Sequence, residues 1–221
     1  MMAIAKTVTL YSFDELDIRV QDRIIGAYIQ DLPGWWSDEI EERIKNEAIA
    51  MGIDDFDFVW SGFWSQGDGL SFTGTLDFKT WLFILDDRLD REQFSRLGED
   101  SAKDVVKLKE SNRIDWGGCI IERINNHYCH ENTVQVLVPN SKLALNGELD
   151  YPSDNERMER FGRRIQRFLN EWKNELCHRW YSELQEEYES YTTRENIVKD
   201  IVDRKLLYTS SGTILYTGEL I

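Results

Sequence analysis

Residues 55–75, DFDFVWSGFWSQGDGLSFTGT, decide the fold. Phe56, Phe58 and Trp60 alternate with Asp55, Asp57 and Val59, the period of a half-buried β-strand. The run SQGDG (residues 65–69) is dense in turn formers, and residues 70–75 return as a second strand, so the stretch reads as a β-hairpin or meander with a longish loop. Gly67 and Gly69 flank Asp68 and suit positive φ, and Asp in such a turn caps nearby amides. A tight structural loop is therefore expected, with Asp68 pinned by backbone donors. Trp60, Phe63 and Trp64 precede the loop and Phe72 follows it. The ordinary reading makes these rings core residues; an exposed Trp beside Gln66 and Asp68 would instead be an interface anchor.

Outward toward the N-terminus, Ser12 and Glu15 form a capping box with Asp14 in the first turn. Phe13, Leu16, Val20, Ile24, Ala27 and Tyr28 then predict one amphipathic helix over residues 12–30, ended by Pro33 and Gly34. Ile40, Ile44, Ala48 and Met51 predict a second over 37–51, with Gly52 as its C-terminal glycine. Outward toward the C-terminus, residues 77–85 have helical spacing and charged helical pieces follow to about residue 109. Residues 119–128 and 133–138 read as strands joined around His130, Glu131 and Asn132. Pro152 and Ser153 open a long helix over 154–190, and Phe161, Ile165, Phe168, Trp172, Leu176 and Trp180 form its expected core stripe. A short helix at 195–204 and a hairpin around Ser210, Ser211 and Gly212 complete the chain. Helices and strands come in blocks, which predicts an α+β class: antiparallel hairpins packed with N-terminal helices and one long C-terminal helix. Residues 1–221 read as a single domain whose weakest candidate boundary is 140–150.

The chain has 221 residues, 12% of them aromatic, too many for a disordered segment. Its formal net charge is −15, which argues against this chain gripping a phosphate backbone itself and allows a partner with a basic surface. Residues 14–68 hold 14 acidic and 4 basic side chains, a net of −10. The bland reading is a solvated face. The functional reading is an anionic surface carrying Asp38, Glu39, Glu42, Asp54, Asp55 and Asp57 that steers toward a basic partner; Glu39, Glu42, Asp54, Asp55 and Asp57 are expected to be exposed and contiguous. Arg157, Arg160, Arg163, Arg164 and Arg167 make a basic stripe on the long helix, for which pairing with the chain's own carboxylates is favoured over nucleic acid. The start MMAIAKTVTLYSF is not expected to act as a signal peptide, and the longest apolar run, WLFIL at 81–85, is far short of the ~20 residues that span a bilayer.

Specific chemistry is hard to place. All three His and all three Cys fall between 119 and 178, with His127, Cys129 and His130 close together and Cys177 beside His178. These are zinc-ligand types, but no C-x2-C or H-x3-5-H spacing is present; surface His and buried Cys is the ordinary reading. An odd, irregular Cys set predicts free thiols. There is no G-x-S-x-G, P-loop or G-x-G-x-x-G motif, and Gly67–Gly69 lacks the basic partner of a phosphate cradle. No catalytic residue, metal or cofactor is assigned.

The segments YSFDEL (11–16), SGFWSQGDGLSFTG (61–74) and TRENIVKDIVDRKLLYTSSGTILYTG (193–218) resemble a family of small acidic bacteriophage and prophage proteins. The resemblance implies phage origin, a host-cytoplasm setting and action on host machinery or defence, and it carries no catalytic residues. The leading expectation is a non-enzymatic, anti-CRISPR-like inhibitor. Its acidic surface, with Trp64 and Asp68, would occupy a host nucleic-acid-binding complex such as a CRISPR effector or restriction enzyme, in place of nucleic acid. Two alternatives stay open: a metalloprotein or enzyme at His127, Cys129 and His130, and an antitoxin-like module binding one protein through the aromatic hairpin. A second copy of the chain also remains open as a partner; direct nucleic acid and membrane do not feature.

Overall fold

A computed structural model describes residues 8–32, 34–77, 118–125, 127–137 and 152–215. The predicted elements between 78 and 109, the candidate boundary at 140–150 and the side chains of Phe161 and Ile165 lie outside the described residues. The class is α+β. The elements in order are α1 (Ile18–Gln30), α2 (Asp38–Ala50), β1 (Ile53–Trp60), β2 (Leu70–Leu76), β3 (Cys119–Arg123), β4 (Val134–Leu137), α3 (Pro152–Thr192), α4 (Arg194–Asp203), β5 (Leu207–Tyr208) and β6 (Ile214–Leu215). Strands β1-β2-β3-β4 form an antiparallel sheet in chain order, and β5 pairs with β6. The chain divides into two compact units, Met1–Glu39 with Leu184–Ile221, and Ile40–Glu183.

In the second unit, Gly52 ends α2 at φ 76°, as its position predicts. The next strand departs from simple alternation. Asp54 pairs with Thr75 and Asp57 with Thr73, so Asp55 and Phe56 together oppose Gly74 in a β-bulge. Asp55 takes φ 51°, a left-handed conformation that Asp tolerates better than most residues. The extra residue turns Ile53, Phe56 and Phe58 onto one face and Asp54 with Asp57 onto the other. Gly74 is required opposite the bulge: a Cβ there would meet Ile53 Cγ2 at 2.6 Å and Asp54 O at 2.9 Å.

The inner face buries Ile53, Phe58, Leu70, Phe72, Leu76, Cys119, Ile121, Val134 and Val136. Trp180 of α3, 0% exposed, lies edge-on to Phe56 and Phe72 with ring centroids 5.7 and 5.3 Å away. Its indole Nε1 donates to Glu47 Oε2 of α2 at 2.8 Å, so helix, sheet and α2 meet at one satisfied aromatic. The buried line along α3 within this unit is Leu169, Lys173, Leu176, Cys177 and Trp180. This shifts the predicted stripe by one position: Leu176 and Trp180 hold, whereas Phe168 and Trp172 are half-buried on its flank. The predicted strand 119–128 ends at Arg123, because Ile124 and Asn125 both donate to Thr133 O and close the turn.

In the first unit, the expected single helix over 12–30 is broken. Ser12 N and Oγ do donate to Glu15 Oε2, at 2.8 and 3.0 Å, but they close only a 3-10 turn, Phe13–Glu15. Leu16 is extended and Asp17 caps a new helix by accepting from Arg19 N at 2.9 Å. Gln21 Nε2 spans the break to Phe13 O and Leu16 O. Both sides of the break thereby reach one core of Phe13, Leu16, Ile25, Ile197, Ile201 and Tyr208. The predicted terminal hairpin is β5–β6, with Gly212 at φ 79° packed on Val20 of α1.

Candidate functional site

The loop between β1 and β2 is a small hydrogen-bonded pedestal. Asp68 Oδ2 accepts from Trp64 N at 3.0 Å and Ser65 N at 2.6 Å, and its Oδ1 accepts from Ser61 Oγ at 3.1 Å. Asp68 N donates back to Ser65 O at 3.1 Å, and Ser61 N to Gly69 O at 3.1 Å. The carboxylate thus occupies the turn in the way its sequence setting predicts. Gly67 has φ 98°, and a Cβ on it would sit 2.4 Å from the Tyr128 ring. A Cβ on Gly69 would sit 2.6 Å from Cys129 O. Both glycines therefore let the loop lie flat against the segment between β3 and β4.

Aromatic rings stack on this pedestal. Trp60 and Phe63 stack at 5.6 Å; Phe63 meets Tyr181 of α3 at 5.3 Å and Trp64 edge-on at 6.3 Å. Trp60 Nε1 donates to Glu41 Oε1 at 3.2 Å, and Tyr181 OH donates to Gly62 O at 2.5 Å. Burial, followed by the Asp68 charge, pushes the Tyr181 phenol above its usual range, so it stays a neutral donor. Trp64 ends the row and is 71% exposed. Tyr128, also exposed, lies beneath Gly67 between the His127 and His130 rings.

Asp38, Glu39, Glu42, Asp54, Asp55 and Asp57 are all exposed, as expected. Asp54, Asp55 and Asp57 are exposed at the bulge of β1, the strand that leads into the pedestal, and no described residue forms an ion pair with them. Glu42 is exposed on α2. Asp38 and Glu39 are exposed at the start of α2 but belong to the other unit. Glu47 is taken by Arg179 as well as by Trp180, and Glu183 pairs with Arg43 at 2.9 Å, so the long helix does neutralise part of the acidity, through residues outside the predicted basic stripe. Arg163 and Arg167 of that stripe are exposed.

Two of the three histidines have side-chain partners within the fold. His130 Nδ1 accepts from Asn132 N at 3.2 Å and caps the 3-10 turn Glu131–Thr133. His178 Nε2 lies 3.2 Å from Glu131 Oε1. Burial alone would raise the Glu131 carboxyl, but its own backbone amide and His178 outweigh that and hold it low. Cys119 and Cys177 are buried thiols pushed up to about 12 by desolvation, which suits inert apolar packing rather than nucleophilic attack. Among the described residues, no three His, Cys, Asp or Glu side chains gather as a metal ion would require. No described helix is long and apolar enough to cross a membrane.

Lys173 escaped the sequence reading. It is 2% exposed, and its ammonium donates to Glu131 O at 2.5 Å and Val134 O at 2.7 Å. Burial lowers its pKa, while Cys177 and Glu131 pull the other way. Its one trace in the sequence is its register with Leu169, Leu176 and Trp180, which does not by itself mark it as buried.

The model of a domain of unknown function, DUF8835, matches residues 35–194, which take in the sheet, the aromatic pedestal and α3. No curated protein and no solved structure matches the chain.

Proposed function

The chain belongs to the DUF8835 family, and we propose that it is a non-catalytic binding protein that docks a partner protein through Trp64 and the acidic β1 edge. The observation that carries this reading is Trp64, 71% exposed on a turn held by Asp68. The Trp64 ring keeps an edge-on contact with Phe63 and leaves most of its surface to water, while Asp68 accepts from the two amides that fix the ring's position. Trp in such a place is the commonest kind of interface anchor, because it buries much area for little loss of conformational freedom. Asp57 lies three residues before Trp60 on the same strand, roughly 10 Å along it at the usual rise. The partner this chemistry fits has an apolar slot bordered by Lys or Arg.

A host nucleic-acid-binding complex is the partner class that we put first. The support is the resemblance of YSFDEL, SGFWSQGDG and the tail to phage proteins, together with outward Asp54, Asp55 and Asp57, whose charges suit a phosphate-binding groove. In this reading the protein acts as a cytoplasmic inhibitor and needs no catalytic group.

The test is capture from bacterial lysate by bead-bound wild-type protein, Trp64→Ala, and the triple variant Asp54→Asn, Asp55→Asn, Asp57→Asn. The proposal expects at least one protein held by wild type, lost from Trp64→Ala, and held by the triple variant with weaker dependence on salt. Proteins retained equally by all three baits would overturn it.

A further inference from the structure

The inner face of the four-stranded sheet is buried, and its outer face combines carboxylates with aliphatic side chains. Cross-strand register places Asp54, Thr75, Ile120 and Leu137 in one outward row. In the next row Asp57 lies beside Thr73 and Glu122 beside Gln135, whose Nε2 donates to Glu122 Oε1 at 2.9 Å. Gly74 pairs with Ile121, which aligns Thr73 with Glu122 and joins the two halves of that row. Both rows lie in the unit Ile40–Glu183 and within the stretch matched by the family.

Two properties of this face bear on what it meets. The side of an antiparallel sheet that is left to water is ordinarily polar. Here Ile120 is 48% exposed with the half-buried Leu137 as its cross-strand neighbour, and Ile124, two residues beyond Glu122, is 57% exposed. The second property is charge. Asp54, Asp57 and Glu122 are carboxylates, and none of the outward positions of β1 to β4 is Lys or Arg. Lys is a usual choice where a sheet must stay solvated and unpaired. Its absence leaves a field of one sign beside the aliphatic pair.

Charge and size select the occupant. A second copy of this chain is the poorer fit, since it brings a net charge of −15 to a negative face. Four strands span roughly 14 Å at the usual spacing between neighbours, and a helix with its side chains is about 10 Å across. One helix therefore seats on the face, over Thr75, Ile120 and Leu137, with one flank toward Asp54 and Asp57.

We infer that the outer face of the β1–β4 sheet docks a basic amphipathic helix of a partner protein. Apolar side chains of that helix cover Ile120 and Leu137, and its flanking Lys or Arg meet Asp54, Asp57 and Glu122. This rests on the basic partner of the docking reading above and names the element that the partner presents.

The probe is a dye-labelled helical peptide of about five turns, built of Leu, Lys and Ala with Leu on one stripe. A peptide of the same composition with its Leu positions scrambled is the control. The full chain is titrated with each, read by fluorescence anisotropy and amide NMR shifts. Saturable binding of the striped peptide is expected, with shifts centred on residues 54–57, 73–75, 120–124 and 135–137, and binding of the scrambled peptide at least about tenfold weaker. Thr75→Lys puts a cation in the middle of the face, and Ile120→Thr keeps a β-branched residue in the strand; each should melt near wild type and weaken the striped peptide about tenfold. Glu186→Gln with Asp203→Asn removes two exposed carboxylates of the other unit and should leave its affinity unchanged. The inference is overturned if the striped peptide does not saturate, if the scrambled peptide binds as well, or if the shifts lie elsewhere. It is also overturned if a Thr75→Lys or Ile120→Thr protein that melts as wild type does binds the peptide equally, or if the Glu186 and Asp203 pair weakens it as much. Trp64→Ala separates the two readings. Loss at Thr75→Lys with full binding by Trp64→Ala supports this inference, and a lysate protein held equally by wild type and Trp64→Ala defeats the Trp64 anchor alone.

Discussion

The two edges of the four-stranded sheet are finished in opposite ways. At β4, the long helix supplies the missing partners. Asn170 Oδ1 accepts from Val136 N at 3.1 Å, Gln166 Nε2 donates to Val136 O at 3.0 Å, and Lys173 Nζ donates to Val134 O at 2.7 Å. Gln166, Asn170 and Lys173 recur at four and three residues, so one face of α3 reads out the ladder of a strand. At β1, the backbone is interrupted by a bulge, and Asp54, Asp55 and Asp57 project from it. Bulges and charges are how proteins keep an open edge from pairing with another strand. Among the described residues, one edge is closed by α3, and the other has no strand beside it and carries a bulge and three carboxylates. In the proposed docking role the same carboxylates would meet a basic partner, with Trp64 in the loop that follows the strand.

The contrast can be broken first at the closed edge. Lys173→Ala should cost about 1–3 kcal/mol by leaving buried carbonyls unmet, measured by denaturant titration. Lys173→Met separates the donor from the stem: it should lose nearly as much, and a Met variant as stable as wild type would mean that packing alone holds the edge. The open edge is next. Gly74→Ala places a methyl carbon against Ile53 and Asp54 and should cost about 1–3 kcal/mol through forced displacement of the bulge. Asp54→Asn with Asp57→Asn should leave unfolding free energy within about 0.5 kcal/mol of wild type, while sedimentation shows more self-association than in the wild type. Unchanged monomer content would remove the edge-guarding role. The pedestal gives the smallest structural effect. Asp68→Asn should keep an acceptor in the turn and stay close to wild type, and Asp68→Ala should lose about 1 kcal/mol.

Much of this was legible in residues 55–75, where alternation, turn formers and flanking glycines agree on a hairpin with a capped loop. The bulge was not legible, because a period of two counted from Phe56 runs cleanly and omits Ile53. The three-residue gap from Ile53 to Phe56, with Gly74 opposite, is its only trace. The break at Leu16 and Asp17 was hidden because a Ser-x-x-Glu box closes a 3-10 turn as well as an α-helix. The stripe on α3 was misplaced by one residue because Phe168 and Trp172 outweigh Leu169 and Lys173 on any scale of hydrophobicity. Lysine within an apolar row reads as a surface residue until the facing carbonyls are known. The pairings of Glu47 with Arg179 and of Glu183 with Arg43 depend on long-range contacts that local sequence does not carry.

The most direct test of the docking account is a paired measurement on Trp64→Ala: unfolding free energy in denaturant, and affinity for a protein captured by the wild type. The account predicts stability within about 0.5 kcal/mol of wild type and binding weaker by about 2 kcal/mol or more, near thirtyfold. A clear loss of stability with affinity unchanged would make Trp64 part of the fold and contradict it.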